Sequence, residues 1–161
     1  MIHQPPYETV LKPFGEALVE LARRRTDVVC LGADLTRQTE TDLFRDALPQ
    51  RFFNVGMAEA NAIGIAGGLA RAGHTVFFAT FGVFATRRCF DQLAMAIAYP
   101  GCRVTIAGFM PGLSSPGHGH QTAALFGTSN SAEREMLPTG FPFSVTITLS
   151  ESLVSMAESA S

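Results

Sequence analysis

The stretch Asn54-Val55-Gly56-Met57-Ala58-Glu59-Ala60-Asn61 opens a segment that is almost wholly apolar and small, yet it carries one carboxylate, Glu59. Up to Gly73 the only other charged residue is Arg71, and the glycines and alanines between them allow another backbone or a flat ligand to approach closely. The pattern predicts a helix over Ala58 to Ala72. An acid in the first turn of a helix also suits the helix dipole, so Glu59 is either a capping charge or a functional group.

The flanking segments alternate between helical spacing and short apolar runs typical of buried parallel strands. In order, we predict a helix through Val10, Phe14, Leu18 and Leu21, strands at Asp27 to Gly32 and Arg51 to Val55, the helix from Ala58, a strand at Thr75 to Phe81, a helix at Val83 to Tyr99 and a strand at Arg103 to Gly108. Such alternation predicts an α/β fold, a parallel sheet with helices on both faces. Ligands of open parallel sheets bind beyond the carboxyl ends of the strands, so function is expected there.

The composition of the chain limits the class of protein to which it can belong. Its 161 residues suit one domain, and only 16% of them are charged, below the roughly 25% of a usual soluble domain. We therefore expect another subunit to cover part of the surface. A net charge of -2 argues against nucleic acid as a partner, and no apolar run approaches the roughly 20 residues that span a bilayer. Without a targeting signal at the N-terminus, the expected location is cytoplasmic.

The composition changes near residue 122. The first 121 residues contain only two serines, whereas the last 40 contain eight, and no aspartate. Apart from a weak strand-like alternation at Phe143 to Leu149, this tail has little to bury. We expect a domain over residues 1–121 and an atypical Ser/Thr-rich tail over residues 122–161 that is disordered or foreign to the fold, which leaves the C-terminal part of the sheet incomplete.

Potential metal ligands are few and poorly spaced. Three cysteines stand in apolar surroundings without the pairing of a zinc site or a redox motif, and we expect buried free thiols at Cys30, Cys89 and Cys102. His118 and His120 lie in a glycine-rich loop without a nearby carboxylate, so they are solvated loop residues or an adventitious metal pair. We predict no metal site in this chain.

Two further groups of side chains follow the strand predicted at Thr75 to Phe81. Phe81 and Phe84 are either ordinary core residues or a platform for a flat ligand. Arg88 and Asp91 stand three residues apart on a predicted helix, where a surface ion pair contributes a few tenths of a kcal/mol. None of these features alone decides between packing and function.

Four motifs in this order resemble the pyrimidine-binding domain of the transketolase family, over about Phe14 to Gln121. They are the turn Gly32-Ala33-Asp34-Leu35, the glutamate helix from Asn54 to Asn61, the aromatic segment Thr80-Phe81-Gly82-Val83-Phe84 with the helix Arg88-Cys89-Phe90-Asp91-Gln92, and the glycine-rich loop Gly112 to Gln121. The spacing of all four blocks makes a chance match improbable.

The resemblance implies that the cofactor is thiamine diphosphate. Glu59 would then hydrogen-bond the pyrimidine ring nitrogen and stabilise the tautomer whose imino group removes the proton from the thiazolium carbon. Phe81 and Phe84 would form the aromatic wall against which the pyrimidine stacks, and Arg88 would belong to the same cofactor-binding group. A sheltered carboxyl in an apolar site suits this use.

The resemblance also implies a substrate pocket. His120 is similar to the family histidine that faces the substrate and hydrogen-bonds a sugar oxygen or moves a proton, and His118 and Asp34 would line the same pocket. One departure affects the substrate contacts: the family loop carries an acid before its second glycine, whereas this chain has Ser115-Pro116-Gly117.

A missing motif implies a partner. The family holds the cofactor's diphosphate through Mg²⁺ on a different domain that contains Gly-Asp-Gly, and this chain has no Gly-Asp-Gly. The resemblance therefore implies the beginning of the C-terminal subunit of a split transketolase. A separate N-terminal subunit would hold Mg²⁺ and the diphosphate, with two such pairs in a dimer.

The segment after Gln121 departs from the family as well, since the acidic helix, arginine and Pro-Asn turn that follow the loop in the family are absent. We hypothesise a frameshift or truncation beyond about Thr122, which the other two frames of the coding DNA test directly. If neither frame restores an arginine and Pro-Asn pattern, the hypothesis is wrong.

The function implied is transfer of a two-carbon ketol unit between sugar phosphates by a two-subunit transketolase. Two alternatives use the same cofactor, a deoxyxylulose phosphate synthase-like chain and the beta subunit of a 2-oxo acid dehydrogenase. A third alternative is a truncated, non-catalytic binding or scaffold protein.

Overall fold

A computed structural model of the chain describes residues 12–110 and the backbone of residues 147–149. The helices are α1 (Pro13–Arg24), α2 (Thr41–Ala47), α3 (Glu59–Arg71), α4 (Gly82–Thr86) and α5 (Phe90–Gln92), and the strands are β1 (Val28–Gly32), β2 (Phe52–Asn54), β3 (Thr75–Phe81), β4 (Val104–Phe109) and β5 (Ile147–Leu149). A 3-10 turn at Pro49–Arg51 precedes β2, and a π-helical turn at Leu93–Ala98 continues α5. Within the described part of the chain, no helix is long and apolar enough to cross a bilayer.

The strands form one parallel sheet in the order β2-β1-β3-β4-β5. The chain moves outward from β1 to β2 and then returns to place β3 on the other side of β1. The direction of winding therefore reverses between β1 and β3, and ligands of doubly wound sheets bind at the carboxyl ends of such a strand pair. The predicted α/β fold with a parallel sheet is confirmed.

The strands β1, β3 and β4 face two cores, because successive side chains along a strand point to opposite faces. On one face Val29 and Leu31 of β1 pack with Ala62, Ile63 and Ala66 of α3. On the other face α1 and α2 cover a second core, which includes Phe14, Leu18, Cys30, Phe44 and Phe109. Helices on both faces explain why β1 is buried along its whole length and reads as a continuous apolar run.

Small residues bring α3 close to the π-helical turn, as the sequence predicts. A Cβ built on Gly67 would lie 2.4 Å from the backbone carbonyl oxygen of Ala96, a distance that real Cβ atoms do not tolerate. Gly64 and Gly68 of the same helix differ, since a Cβ on either of them meets nothing within 4 Å among the described residues. One glycine of α3 is thus required for packing inside this chain, and two are not.

The helix predicted at Val83 to Tyr99 is wrong as a single element. It breaks between α4 and α5, where Cys89 has a non-helical backbone with φ -126° and ψ 22°. The hydroxyl of Thr86 donates back to the carbonyls of Gly82 at 3.0 Å and Val83 at 3.4 Å, a type of bond that bends helices. The break turns the chain at Arg87 to Cys89 and determines where Arg88 points.

The backbone of β5 lies in the segment expected to be foreign to the fold. Ile147–Leu149 pair in parallel with Ile106 to Gly108 of β4. The rest of residues 122–161 lies outside the described residues, and so does the predicted strand start at Phe143.

Candidate functional site

Glu59 is buried at the carboxyl edge of the sheet. It is the first residue of α3, and only 1% of its surface is exposed. Ala62 and Ile63 follow three and four residues later, so the three side chains share the face of α3 that packs on the core. The turn before α3 depends on Gly56, whose φ of 71° is accessible to glycine without strain.

The carboxylate of Glu59 is paired with Arg88. Nη1 of Arg88 donates to Oε1 of Glu59 at 3.1 Å and to Oε2 at 3.0 Å. The two partners differ in environment, because 44% of the Arg88 side chain is exposed and 1% of the Glu59 side chain is. The ion pair satisfies a carboxylate that burial would otherwise penalise strongly. Arg88 thus pairs with an acid on another helix. The structure shows this ion pair in place of the local one between Arg88 and Asp91.

Phe81 and Phe84 form a stacked aromatic pair at the end of β3. Their ring centroids are 6.0 Å apart, and their planes differ by 18°. Phe81 ends β3 and is 5% exposed, whereas Phe84 lies in α4 and is partly buried. The guanidinium carbon of Arg88 lies 3.8 Å from the centroid of the Phe84 ring, within the range of a cation–π interaction. Glu59, Phe81, Phe84 and Arg88 therefore form one cluster.

Cys89 lies next to this cluster as a buried, protonated thiol. Its Sγ donates to the carbonyls of Ala85 at 3.2 Å and Phe84 at 3.4 Å. Burial, and secondarily the charge of Glu59, raise the pKa of Cys89 to about 11. Cys30 is buried as well, whereas Cys102 is only half-buried, and all three are free. The prediction of buried free thiols is confirmed for two of the three.

Asp34 stands apart from the cluster, at the end of the neighbouring strand β1. Its φ of 65° places it in the left-handed region, and its side chain is exposed. The backbone N–H of Asp34 donates to Oδ1 of Asn54 at 3.1 Å, and Oδ1 of Asn54 also accepts from the N–H of Gly56 at 3.1 Å. Asn54 therefore ties the end of β1 to the turn that leads into α3. Sequence reasoning missed this role, although asparagine just before a glycine turn is a recognised signal.

The remaining predicted site residues, His118 and His120, lie outside the described residues. Among the residues that the structure does describe, no group of three or more His, Cys, Asp or Glu side chains is arranged to hold a metal ion.

Comparison with known proteins gives a consistent family. Residues 9–128 match the family described as "Transketolase, pyrimidine binding domain". The chain is 39% identical over 117 residues to a transketolase C-terminal section of Methanocaldococcus jannaschii, covering 71% of this chain and 37% of that protein. It is 38% identical over 102 residues to a 6-deoxy-6-sulfo-D-fructose transketolase subunit of Clostridium sp., covering 63% and 32%. It is also 39% identical over 104 residues to a 1-deoxy-D-xylulose-5-phosphate synthase of Chlorobaculum tepidum, covering 65% and 16%.

A solved structure agrees with these relatives. The chain superposes with a TM-score of 0.57 and 43% identity on a structure described as a split gene transketolase, inactive beta4 tetramer, covering 62% of this chain and 33% of that one. The chain spans about a third of the length of the transketolase sections and subunits that it matches. The extent of the family match and the identity to these relatives lead to one conclusion: this chain belongs to the transketolase family, as a pyrimidine-binding domain.

Proposed function

We propose that this chain is the pyrimidine-binding part of a thiamine diphosphate-dependent transketolase made of two kinds of subunit, which moves a two-carbon ketol unit between sugar phosphates. One observation carries the proposal: a carboxylate that is 1% exposed lies at the carboxyl edge of the sheet, beside a stacked aromatic pair. A buried acid and an aromatic wall are the two groups needed to hold an aminopyrimidine ring. The residues present therefore fit the cofactor of the family.

Each residue of the cluster has a distinct task in this proposal. Glu59 shares a proton with a ring nitrogen, which its shelter from water favours. Phe81 and Phe84 orient the ring by stacking at little conformational cost. Arg88 belongs to the same cofactor-binding group as the residue that pairs with Glu59 and lies over the Phe84 ring before the cofactor binds. When bound, thiamine diphosphate supplies the nucleophilic carbon that accepts the ketol unit, and the residues of this chain bind and orient it.

The substrate residues form a second part of the proposal. Asp34, His118 and His120 line the sugar phosphate pocket, and His120 moves a proton to or from a sugar oxygen. The position of Asp34 at the carboxyl end of β1, beside the point where the winding reverses, supports its assignment.

A partner subunit completes the active site. The printed sequence contains no Gly-Asp-Gly, so in this proposal Mg²⁺ and the diphosphate are held outside it, by an N-terminal subunit. The relatives described as a transketolase C-terminal section and as a transketolase subunit support the same division of the enzyme. The working assembly in this proposal is a dimer of such pairs.

The test is a reconstitution. The full chain is mixed with the candidate N-terminal subunit, thiamine diphosphate, Mg²⁺, a ketose phosphate donor and an aldose phosphate acceptor, and ketol transfer is measured as formation of the lengthened ketose phosphate. Glu59→Gln is expected to lower kcat by on the order of a hundredfold or more, the usual effect of losing a positioned proton-transfer group. Glu16→Gln, an exposed acid on α1, is the matched control and should leave the rate unchanged. An equal rate for Glu59→Gln and Glu16→Gln would rule out the role of Glu59.

A second candidate has support of its own. The identity of 39% to a 1-deoxy-D-xylulose-5-phosphate synthase equals that to the transketolase section, so a synthase-like chain is the second candidate. A parallel reconstitution with pyruvate in place of the ketose phosphate distinguishes the two, since a transketolase requires the ketose phosphate donor and a synthase consumes pyruvate with release of carbon dioxide.

A further inference from the structure

Arg88 occupies both of the contacts that an aminopyrimidine ring needs, and we propose that it acts as an internal placeholder which the ring must displace. The inference rests on the proposed function and deepens it. It assigns Arg88 a positioning role that precedes cofactor binding and acts through Glu59.

The geometry of the guanidinium supports this assignment. It is a flat, delocalised group, like an aminopyrimidine, and it lies 3.8 Å from the centroid of the Phe84 ring. From there Nη1 reaches both oxygens of Glu59, at 3.0 and 3.1 Å. A ring that stacks on Phe84 and hydrogen-bonds Glu59 needs the same aromatic face and the same carboxylate, so ring and guanidinium exclude each other.

Burial explains why a placeholder is needed. Glu59 is 1% exposed, and a charged carboxylate at that depth is costly without a hydrogen-bonded partner. Arg88 supplies the partner while no ring is present. On binding, one proton taken up from water is shared between Glu59 and a ring nitrogen, and this hydrogen bond replaces those from Arg88, so Glu59 has a partner in both states.

The surroundings of Arg88 allow it to leave. It lies at the break between α4 and α5, and 44% of its side chain is exposed, so the guanidinium moves into water at small cost. Glu59 is held in contrast by α3, whose next turn is packed into the core. The exchange therefore moves the arginine and leaves the acid in place.

The consequence for affinity has a definite sign. When the competent state is only a fraction of the population, the apparent Kd equals the intrinsic Kd divided by that fraction. Removal of the placeholder should thus tighten ring binding, whereas removal of an ordinary cofactor ligand should weaken it. Structural damage would also weaken it, so the two explanations differ in direction.

The experiment measures binding of thiamine, and of its free aminopyrimidine half, to the full-length chain by ligand-observed NMR and calorimetry. Arg88→Met keeps an unbranched apolar stem without the guanidinium, and we expect an apparent Kd about tenfold lower for both probes. Arg88→Lys keeps the charge but not the flat group, and should lie between Arg88→Met and the native chain. Arg87→Met, the exposed neighbour, is the matched control for the loss of one positive charge near the cationic thiamine.

The outcomes separate the inference from the proposed function. Weaker binding by Arg88→Met, unchanged binding or no binding overturns the placeholder role. Tighter binding in Arg87→Met to the same extent also overturns it, because a general charge effect would then explain the gain. Glu59→Gln tests the proposed function instead: if it binds both probes as the native chain does, the cluster is not a pyrimidine site, whatever Arg88 does.

Discussion

The side chain of Asn54 holds the backbone of Asp34 across the carboxyl ends of β1 and β2, with a distance of 3.1 Å from the Asp34 N–H to Oδ1 of Asn54. This contact fixes Asp34 at φ 65°, where aspartate and asparagine are tolerated and β-branched residues are not. The conformation of Asp34 is therefore testable apart from its charge.

Asp34→Asn should leave the free energy of unfolding nearly unchanged, whereas Asp34→Val should lower it by about 1–2 kcal/mol, the cost of the left-handed region. Urea unfolding of both variants measures the difference. Equal stabilities would mean that the backbone at Asp34 relaxes to an extended form. If only the stability of Asp34→Val falls but both variants lose ketol transfer, the carboxylate also serves the substrate.

Gly67 and Gly68 provide a matched pair on α3. Gly67→Ala should destabilise the chain by about 1–3 kcal/mol, because the new methyl group meets the carbonyl of Ala96. Gly68→Ala should raise the stability by about 0.5–1 kcal/mol, since alanine is the better helix former and its methyl group meets open space within this chain. Thermal unfolding compares the two. Loss of stability in both would contradict the contact geometry of α3.

Thr80 carries a buried hydroxyl without a hydrogen-bond partner among the described residues, and its side chain is fully buried in β3. Thr80→Val should therefore stabilise the chain by about 1 kcal/mol, because the penalty for an unpaired hydroxyl disappears while the β-branched shape remains. Denaturant unfolding measures the change. A loss of similar size in Thr80→Val would show that the hydroxyl has a partner in solution.

The pH dependence of stability should depend on Asp27. Arg25 donates to both Asp27 oxygens, at 3.1 and 2.6 Å, and Thr75 donates at 2.6 Å; these bonds hold the pKa of Asp27 well below its usual range. Because the folded pKa is the lower one, the contribution of Asp27 is present above the unfolded pKa of about 3.9 and is lost as the pH falls below it. Asp27→Asn should reduce the fall in the free energy of unfolding below about pH 4, measured by urea unfolding at several pH values. The exposed control Asp91→Asn should leave that fall unchanged. If the free energy of unfolding falls equally at acid pH in the native chain and in Asp27→Asn, the hydrogen bonds of Arg25 and Thr75 to Asp27 do not have this role.

The fold was predictable where a strand lies between two covered faces. β3 has the predicted bounds, Thr75 to Phe81, because such a strand is mostly apolar, here with Thr75 and Thr80 as the exceptions. The short helix α2 was not predicted, since seven residues carry too little periodicity. The break before α5 was missed because Thr86 and Cys89 act through back-bonds that composition does not reveal.

The sequence singled out the residues that the structure brings together in the cluster, but not how they pair. Glu59, Phe81 and Phe84 were identified from motif and residue type. The bond between Glu59 and Arg88 joins residues 29 apart, whereas the only partner within helical reach of Arg88 was Asp91. Long-range pairing depends on how α3 and the segment after β3 meet over the sheet, which no local pattern specifies.

The two cores of the fold contribute separately to the cluster. Glu59 is carried by the helix that packs on one face, whereas Phe81 and Phe84 pack with the core on the other face. The cluster therefore forms only in the fully folded chain, because its groups meet only when the helices on both faces have packed on the same sheet. A partly folded chain with one layer in place would present either the acid without the aromatic pair or the aromatic pair without the acid, and neither half would offer both groups that we propose for holding the ring.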